Sequence, residues 1–338
     1  MTGERVVVLR PDAGPTVGLG HLQRTLGLAV ALRENGCSCS LRAPETDDVR
    51  ARVESLGLRF EPAPARWSLA EETAALELVG ADAVVIDSYH APEEDLSVLR
   101  RGGRRSLVID DFASSPISCD VLVNAAAAAS RLPYDRLAPG ARLLLGTEYL
   151  LLHPELWDVT PRAPAQPIRT VLLTAGGSVG AVEPLQRLLA ATAECSATFE
   201  LVLAAPESVA AALEPAIRSS PRHVEVVSPG ATIRASAAGV DLAVASAGGT
   251  TRELLRLGVP TLAVVTAENQ RPGAKGLAEL GAVELFESTD DAATGLPRTL
   301  DELSASYERR RRLAERGPEV IDGQGCRRVA GALLELLE

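Results

Sequence analysis

Short runs rich in valine, leucine and isoleucine alternate along the chain with longer stretches of helical apolar spacing. Arg5–Leu9 is a β-branched run suited to a central parallel strand buried on both faces. From His21 to Asn35, Leu22, Leu26, Ala29 and Val30 sit at helical spacing, and Gly36 supplies a stop. Ser38–Arg42, Ala83–Asp87, Ser106–Asp110 and Val121–Asn124 read as further strands, most of them separated by helical stretches. The segment DVTPRAPAQP, Asp158 to Pro167, has three prolines and no apolar period, and reads as an inter-domain linker. The alternation then restarts. Strands are expected at Thr170–Thr174, Thr198–Ala204, Val224–Val227, Asp241–Ala245 and Thr261–Val265, and helices around Val182–Ala193, Ser208–Ile217 and from Thr251. Two closing helices are expected near Leu300–Arg316 and Cys326–Leu337.

This order predicts an α/β protein with two Rossmann-like, doubly wound parallel-sheet domains facing a central cleft. The expected boundaries are 1–160 and 168–338, with the terminal helix free to pack back on the first domain. Ligands are expected where strand carboxyl ends open into such a cleft.

Composition narrows the chemistry. The 338 residues are 46% hydrophobic and only 3% aromatic, so small aliphatic side chains fill the cores. A net charge of −11 argues against general nucleic-acid or anionic-membrane binding. Lys275 is the only lysine, and its context suits neither a P-loop nor a Schiff base. The five cysteines (Cys37, Cys39, Cys119, Cys195 and Cys326) show no zinc-type spacing and are expected as buried thiols. The amino terminus enters a strand without a signal-peptide pattern, and no apolar run is long enough to span a bilayer, so a cytoplasmic location is expected.

Three glycine-bearing loops stand between a strand and a helix. The first carries Gly18, Gly20, His21 and Arg24. It fails as a dinucleotide fingerprint because Gln23 replaces the third glycine, and it lacks the P-loop Lys-Ser/Thr ending. Its glycines still let backbone amides approach a ligand. The positive end of the helix dipole favours a neutral imidazole at His21, the form that accepts a proton; a merely capping or exposed histidine is the alternative. The second loop, TAGGSVG, offers amides of Gly176, Gly177 and Ser178 to a phosphate or sugar, or is an ordinary tight turn. In the third, Ser246, Gly248, Gly249 and Thr250 can cradle a diphosphate at a helix start. Glu253, three residues after Thr250, is either a capping-box partner or an acceptor for ribose hydroxyls. Asn269 and Gln270 follow the next strand on the same side. Of the other histidines, His223 is expected exposed, His90 could line a sugar pocket, and His153 is open between structure and function.

These motifs together resemble the GT-B superfamily, in particular the nucleotide-sugar hydrolases of the pseudaminic-acid type and the related spore-coat polysaccharide proteins. The residues that carry the likeness are GLGHLQR, VVIDSYH with Asp87 and Tyr89, VIDDF with Asp110 and Asp111, CDVLVN ending in Asn124, LLGTEYLLLHPEL with Tyr149, and DGQGCRRVA. SAGGTTRELLRLGVP…ENQ is shared more widely, including with lipid II-forming N-acetylglucosaminyltransferases, whose glutamate binds the UDP ribose. Two positions depart from the pattern: His153 stands where arginine is usual, and Val179-Gly180 replaces Asp-Pro.

The resemblance implies a UDP-linked sugar as substrate, with nucleotide contacts from the second domain. His21 would activate a water that attacks the anomeric carbon with inversion, releasing UDP and free sugar. Gly18, Gly20, Arg24, Asp87, Tyr89, Asn124 and Tyr149 would meet substrate from the first domain. Gly176, Gly177, Ser178, Ser246, Gly248, Gly249, Thr250, Glu253, Asn269 and Gln270 would do so from the second. No DxD metal motif is evident, so neither metal nor organic cofactor is expected, and helix amino termini would stabilise the leaving diphosphate. The nearest rival is an inverting glycosyltransferase, in which His21 activates an acceptor hydroxyl or amine. A non-catalytic nucleotide-sugar sensor is a third reading, disfavoured by the presence of His21.

Overall fold

The structure is a computed structural model that describes residues 4–14, 19–101, 103–176, 179–230 and 232–338. The chain divides into two compact units, residues 1–154 with 323–338, and residues 155–322.

The first unit is built from β1 (Val6–Pro11), α1 (Gly20–Glu34), β2 (Ser38–Ala43), α2 (Asp47–Ser55), β3 (Arg59–Pro62), α3 (Leu69–Leu78), β4 (Ala83–Asp87), α4 (Glu93–Arg101), β5 (Arg105–Ile109), β6 (Val121–Asn124), the single turn α5 (Tyr134–Leu137) and β7 (Arg142–Leu145). Its seven strands are parallel in the order β3-β2-β1-β4-β5-β6-β7. The central strands are apolar on both faces because helices cover both; β4 has no exposed residue. One core joins Val8, Val84, Ile86, Val108 and Leu122 to Leu76, Leu96 and Leu99 of the covering helices.

The second unit comprises β8 (Thr170–Thr174), α6 (Val182–Thr192), β9 (Glu200–Ala204), α7 (Glu207–Ser219), β10 (Val224–Val227), β11 (Leu242–Ser246), α8 (Gly249–Arg256), β12 (Thr261–Val264), α9 (Arg271–Glu279), β13 (Glu284–Phe286), α10 (Thr289–Ala305) and α11 (Tyr307–Val320). Its strands are also parallel, in the order β10-β9-β8-β11-β12-β13. Strand order reverses between β1 and β4 in one sheet and between β8 and β11 in the other. In open α/β sheets ligands bind outside the strand carboxyl ends at such a reversal.

Three features of the fold bear on the sequence expectation and have physical causes. The last helix, α12 (Gly325–Leu334), falls in the first unit, the packing-back that the sequence leaves open. It packs on α1, and glycines let both helices approach the backbone of Leu150–Leu152 closely. A β-carbon at Gly325 would lie 2.1 Å from the Leu150 carbonyl oxygen, and one at Gly27 2.3 Å from that of Leu152. The proline-rich stretch is laid against the second unit. Buried Arg256 donates to the carbonyls of Leu156, Trp157 and Val159, and Arg162 pairs with buried Asp241 at 2.8 Å. The single helix expected over Leu300–Arg316 is two helices, because Ser306 is extended and its hydroxyl caps α11 at the Arg309 amide.

Cys37, Cys119, Cys195 and Cys326 are buried and Cys39 half-buried, all as free thiols. Burial pushes the Cys39 and Cys119 thiols up to about 12. Among the described residues no helix is long and apolar enough to cross a membrane.

Candidate functional site

In the first unit the candidate chemistry collects at the switch point, on the loops that follow β1, β4 and β5. Leu19, at the cap position of α1, gives no side-chain cap, and the first amides of a helix have no intrahelical acceptor. His21 occupies the first turn and is 6% exposed. Arg24, three residues later, projects from the same helix face. Both turn toward Asp87, the last residue of β4, which has no exposed surface. His21 Nδ1 lies 2.6 Å from Asp87 Oδ1. Arg24 donates from Nε to Asp87 Oδ2 at 2.6 Å and from a terminal nitrogen to Oδ1 at 2.5 Å. Its other terminal nitrogen donates to Asp111 Oδ1 at 3.0 Å. Burial works against the Arg24 charge, but the Asp87 and Asp111 carboxylates outweigh it and hold the guanidinium well above its ordinary range.

This geometry fixes the imidazole tautomer. A carboxylate can only accept, so at 2.6 Å the hydrogen sits on Nδ1. Arg24 also approaches Nδ1 at 3.2 Å, but both atoms then carry hydrogens and no bond forms between them. The lone pair is left on Nε2. Buried Asp87 therefore orients the ring and stabilises the imidazolium formed when Nε2 takes a proton.

Tyr89 closes one side of the histidine. Its ring meets the imidazole edge-on, with centroids 4.4 Å apart at 82°. Its hydroxyl donates to Asp111 Oδ2 at 2.8 Å, and its amide donates to Asp12 Oδ2 at 2.9 Å. Burial, reinforced by the Asp111 charge, raises the phenol, so it remains a donor. Asp12 and Asp111 thus belong to the same cluster. Asp111 had a signal in the VIDDF match; Asp12 had none, because its role comes from pairing across the sheet.

Other expected residues differ in placement. Asn124 is fully buried, donating to the Tyr134 hydroxyl at 2.7 Å and accepting from the Ala126 amide at 2.8 Å. Both ends of its amide are engaged within the fold and it has no exposed surface, so it shapes the loop. Gly20 opens α1 with no heavy atom near where a β-carbon would stand. Tyr149 is half-buried in a single 3₁₀ turn after β7. His90 and His223 are exposed and His153 is buried. Gly18 lies outside the described residues.

In the second unit the switch-point loops follow β8 and β11. Gly176 adopts φ +86°, a left-handed conformation that suits glycine. Gly177 and Ser178 lie outside the described residues. Ser246 ends β11, and its carbonyl accepts from the hydroxyl of fully buried Thr251 at 2.7 Å, tying the loop to α8. Gly248 precedes α8 without a side-chain cap, and Gly249 starts the helix facing open space, followed by Thr250. Gln270 accepts from the Thr266 amide and hydroxyl through Oε1, at 3.0 and 3.2 Å. That orientation places Gln270 Nε2 3.7 Å from where a Gly248 β-carbon would stand, a donor beside the loop. Asn269 is exposed in the turn before α9.

Glu253 does not act as a capping-box partner. Its Oε2 accepts from the Ile233 amide at 2.8 Å. Burial pushes its carboxyl up to about 7; the Ile233 hydrogen bond opposes that rise and the nearby Glu155 charge adds to it. Its buried surroundings thus disfavour the charged form of Glu253.

No protein-family model matches the chain, and no curated protein sequence does. Among solved structures the chain is similar to the glycotransferase of kitacinnamycin, at 16% identity and TM-score 0.70, covering 99% of this chain and 100% of that one. It is similar to the spinosyn rhamnosyltransferase SpnG complexed with thymidine diphosphate, at 17% identity and TM-score 0.66, covering 98% and 99%. It is also similar to a putative UDP-N-acetylglucosamine 2-epimerase from Listeria monocytogenes, at 15% identity and TM-score 0.70, covering 99% and 97%. The likeness extends over both units and shows the fold: two parallel-sheet Rossmann-like α/β domains, as in GT-B structures.

Proposed function

We propose that this protein is an enzyme acting on a nucleoside-diphosphate sugar, transferring the glycosyl group with inversion to a hydroxyl or amine acceptor. The carrying observation is the buried His21–Asp87 pair, which leaves the Nε2 lone pair available at a sheet switch point. The GT-B neighbours support the substrate class: two are named as glycosyl- or rhamnosyltransferases, one of them bound to thymidine diphosphate, and the third is named for a UDP-sugar.

In the proposed reaction the second unit holds the nucleotide. The free amides at the start of α8 bind the diphosphate, Gln270 Nε2 adds a donor, and ionised Glu253 accepts from ribose hydroxyls. The acceptor O–H or N–H gives its proton to His21 Nε2 as the nucleophile forms its bond to the anomeric carbon. The bond from that carbon to the diphosphate oxygen breaks on the opposite face, and the electron pair leaves with the nucleoside diphosphate. Asp87, held by Arg24, stabilises the resulting imidazolium.

Hydrolysis is the second reading, with water as nucleophile. It is favoured by the run from GLGHLQR to VIDDF, which resembles the nucleotide-sugar hydrolases and whose His21, Arg24, Asp87 and Asp111 form one hydrogen-bonded cluster. Incubation with a panel of UDP- and dTDP-sugars in ¹⁸O-labelled water, with and without candidate acceptors, separates the two. Transfer yields a glycoside free of label, whereas hydrolysis yields free sugar with ¹⁸O at the anomeric carbon. Absence of nucleotide release from every donor overturns both.

A further inference from the structure

Aromatic residues are scarce in this chain, yet two of them stand exposed together beside the candidate base. Among the described residues the exposed large apolar side chains are Leu78, Tyr89, Val98, Phe112 and Val226. Only Tyr89 and Phe112 are aromatic, and they touch each other with centroids 4.9 Å apart at a 52° tilt. Phe112 is 47% exposed, although burial of a phenylalanine is normally favourable.

The backbone is braced to keep it there. Asp110 accepts from the amides of Phe112 and Ala113 at 3.2 and 2.7 Å, and from the Tyr134 hydroxyl at 2.5 Å. Tyr134 in turn accepts from Asn124. This network holds Ala113 at φ +50°, the only left-handed non-glycine residue among those described. Strained backbone of this kind persists where the surrounding structure over-determines it, and it clusters at ligand clamps.

We propose that Tyr89 and Phe112 form a stacking platform for the acceptor, and that the acceptor is a cyclic, hydroxyl-bearing molecule with one apolar ring face. The proposal rests on the transfer reading above. The group that loses its proton to His21 Nε2 must lie within hydrogen-bond reach of that atom. Tyr89 touches His21, and Phe112 extends the same apolar surface outward from it. Water needs no such surface. A ring with axial C–H groups on one face and hydroxyls at its rim fits it, with the C–H groups over the aromatic faces and one hydroxyl at the histidine. Phe112 is then a specificity-determining contact that the sequence motifs did not single out.

The test is saturation-transfer difference NMR on the full chain with saturating UDP, using phenyl β-D-glucopyranoside as probe and glycerol as a polyol without an apolar face. The wild type is expected to bind the probe through its ring-face protons and to ignore glycerol. Phe112→Ala should weaken probe binding about tenfold, the scale of one lost aromatic contact. Phe112→Leu should weaken it nearly as much, and Phe112→Tyr should retain it, with UDP affinity and thermal unfolding unchanged in all three. Probe binding unaltered in Phe112→Ala, retained in Phe112→Leu, or undetectable in the wild type overturns the platform. Because the readout is binding, it is separate from turnover. Failure of the transfer reading shows instead as no glycoside from any donor.

Discussion

Replacing Asp87 by asparagine changes one oxygen to nitrogen on a side chain with no exposed surface, so volume and packing are preserved. The hydrogen-bond pattern is not. Asp87 accepts from His21 and from two nitrogens of Arg24, and an asparagine offers one oxygen in place of two. His21 Nδ1 and one Arg24 nitrogen share Oδ1 while Arg24 Nε uses Oδ2, so the amide nitrogen opposes a donor in either placement: Arg24 Nε at Oδ2, or His21 Nδ1 and Arg24 together at Oδ1. In both placements the carboxylate charge beside the imidazole is lost, and in the second the imidazole hydrogen also moves to Nε2, the atom required to accept. Loss of a correctly disposed base is worth about 10²–10⁴-fold in kcat, or roughly 2.7–5.4 kcal/mol of barrier. The stability cost is smaller, about 1–3 kcal/mol, because Arg24 keeps Asp111 and its side chain is one-fifth exposed. Nucleotide release measured by chromatography gives kcat, calorimetric titration with UDP checks binding, and thermal unfolding checks the fold. A folded Asp87→Asn protein with kcat within threefold of wild type refutes the orienting role and the tautomer argument with it.

Further expectations concern the base, the nucleotide and the leaving group. His21→Asn keeps size and polarity but cannot take a proton near neutrality, so kcat should fall at least ~10²-fold while UDP affinity changes by less than a few-fold; more than a tenth of wild-type kcat would mean another base acts. Glu253→Gln should weaken nucleotide binding about ten- to a hundredfold, since charged acceptors outperform neutral ones, and unchanged affinity by titration would leave Glu253 only its role at Ile233. Because burial raises the Glu253 carboxyl to about 7 and the ribose contact requires the ionised form, affinity for a UDP-sugar should rise with pH up to about 7 and level off above it. At pH 6 affinity should be roughly tenfold below the plateau, and the dependence should vanish in Glu253→Gln. Turnover should survive exhaustive chelation; complete loss restored by Mg²⁺ or Mn²⁺ would show that the diphosphate leaves on a metal and not on helix amides.

Much of this architecture is written along the chain, because central parallel strands are buried on both faces and must be continuous apolar runs. Ala83–Asp87, Val121–Asn124 and Thr170–Thr174 are legible to the residue. The strands without a readable signal are β3, β7 and β13, all at sheet edges. Edge strands are short and partly solvated, as the half-exposed Arg59–Pro62 illustrates, so neighbours rather than their own pattern decide that they pair. The glycine loops and His21 stand out for the same local reason: a strand-to-helix turn with free amides needs particular residue types. What equips His21 for the proposed role of base is not local. Asp87 lies 66 residues away and meets it only because β4 pairs with β1, which brings the carboxyl end of β4 beside the helix that follows β1. The same pairing sets Asp87 against His21 and Arg24, and the pairing of β6 with β5 and β7 places Asn124 inside the fold, on the Tyr134 hydroxyl that also meets Asp110. Residue type and periodicity are local properties of a sequence, whereas tautomer, burial and partnership are properties of contacts, and those exist only once the strands have found their order.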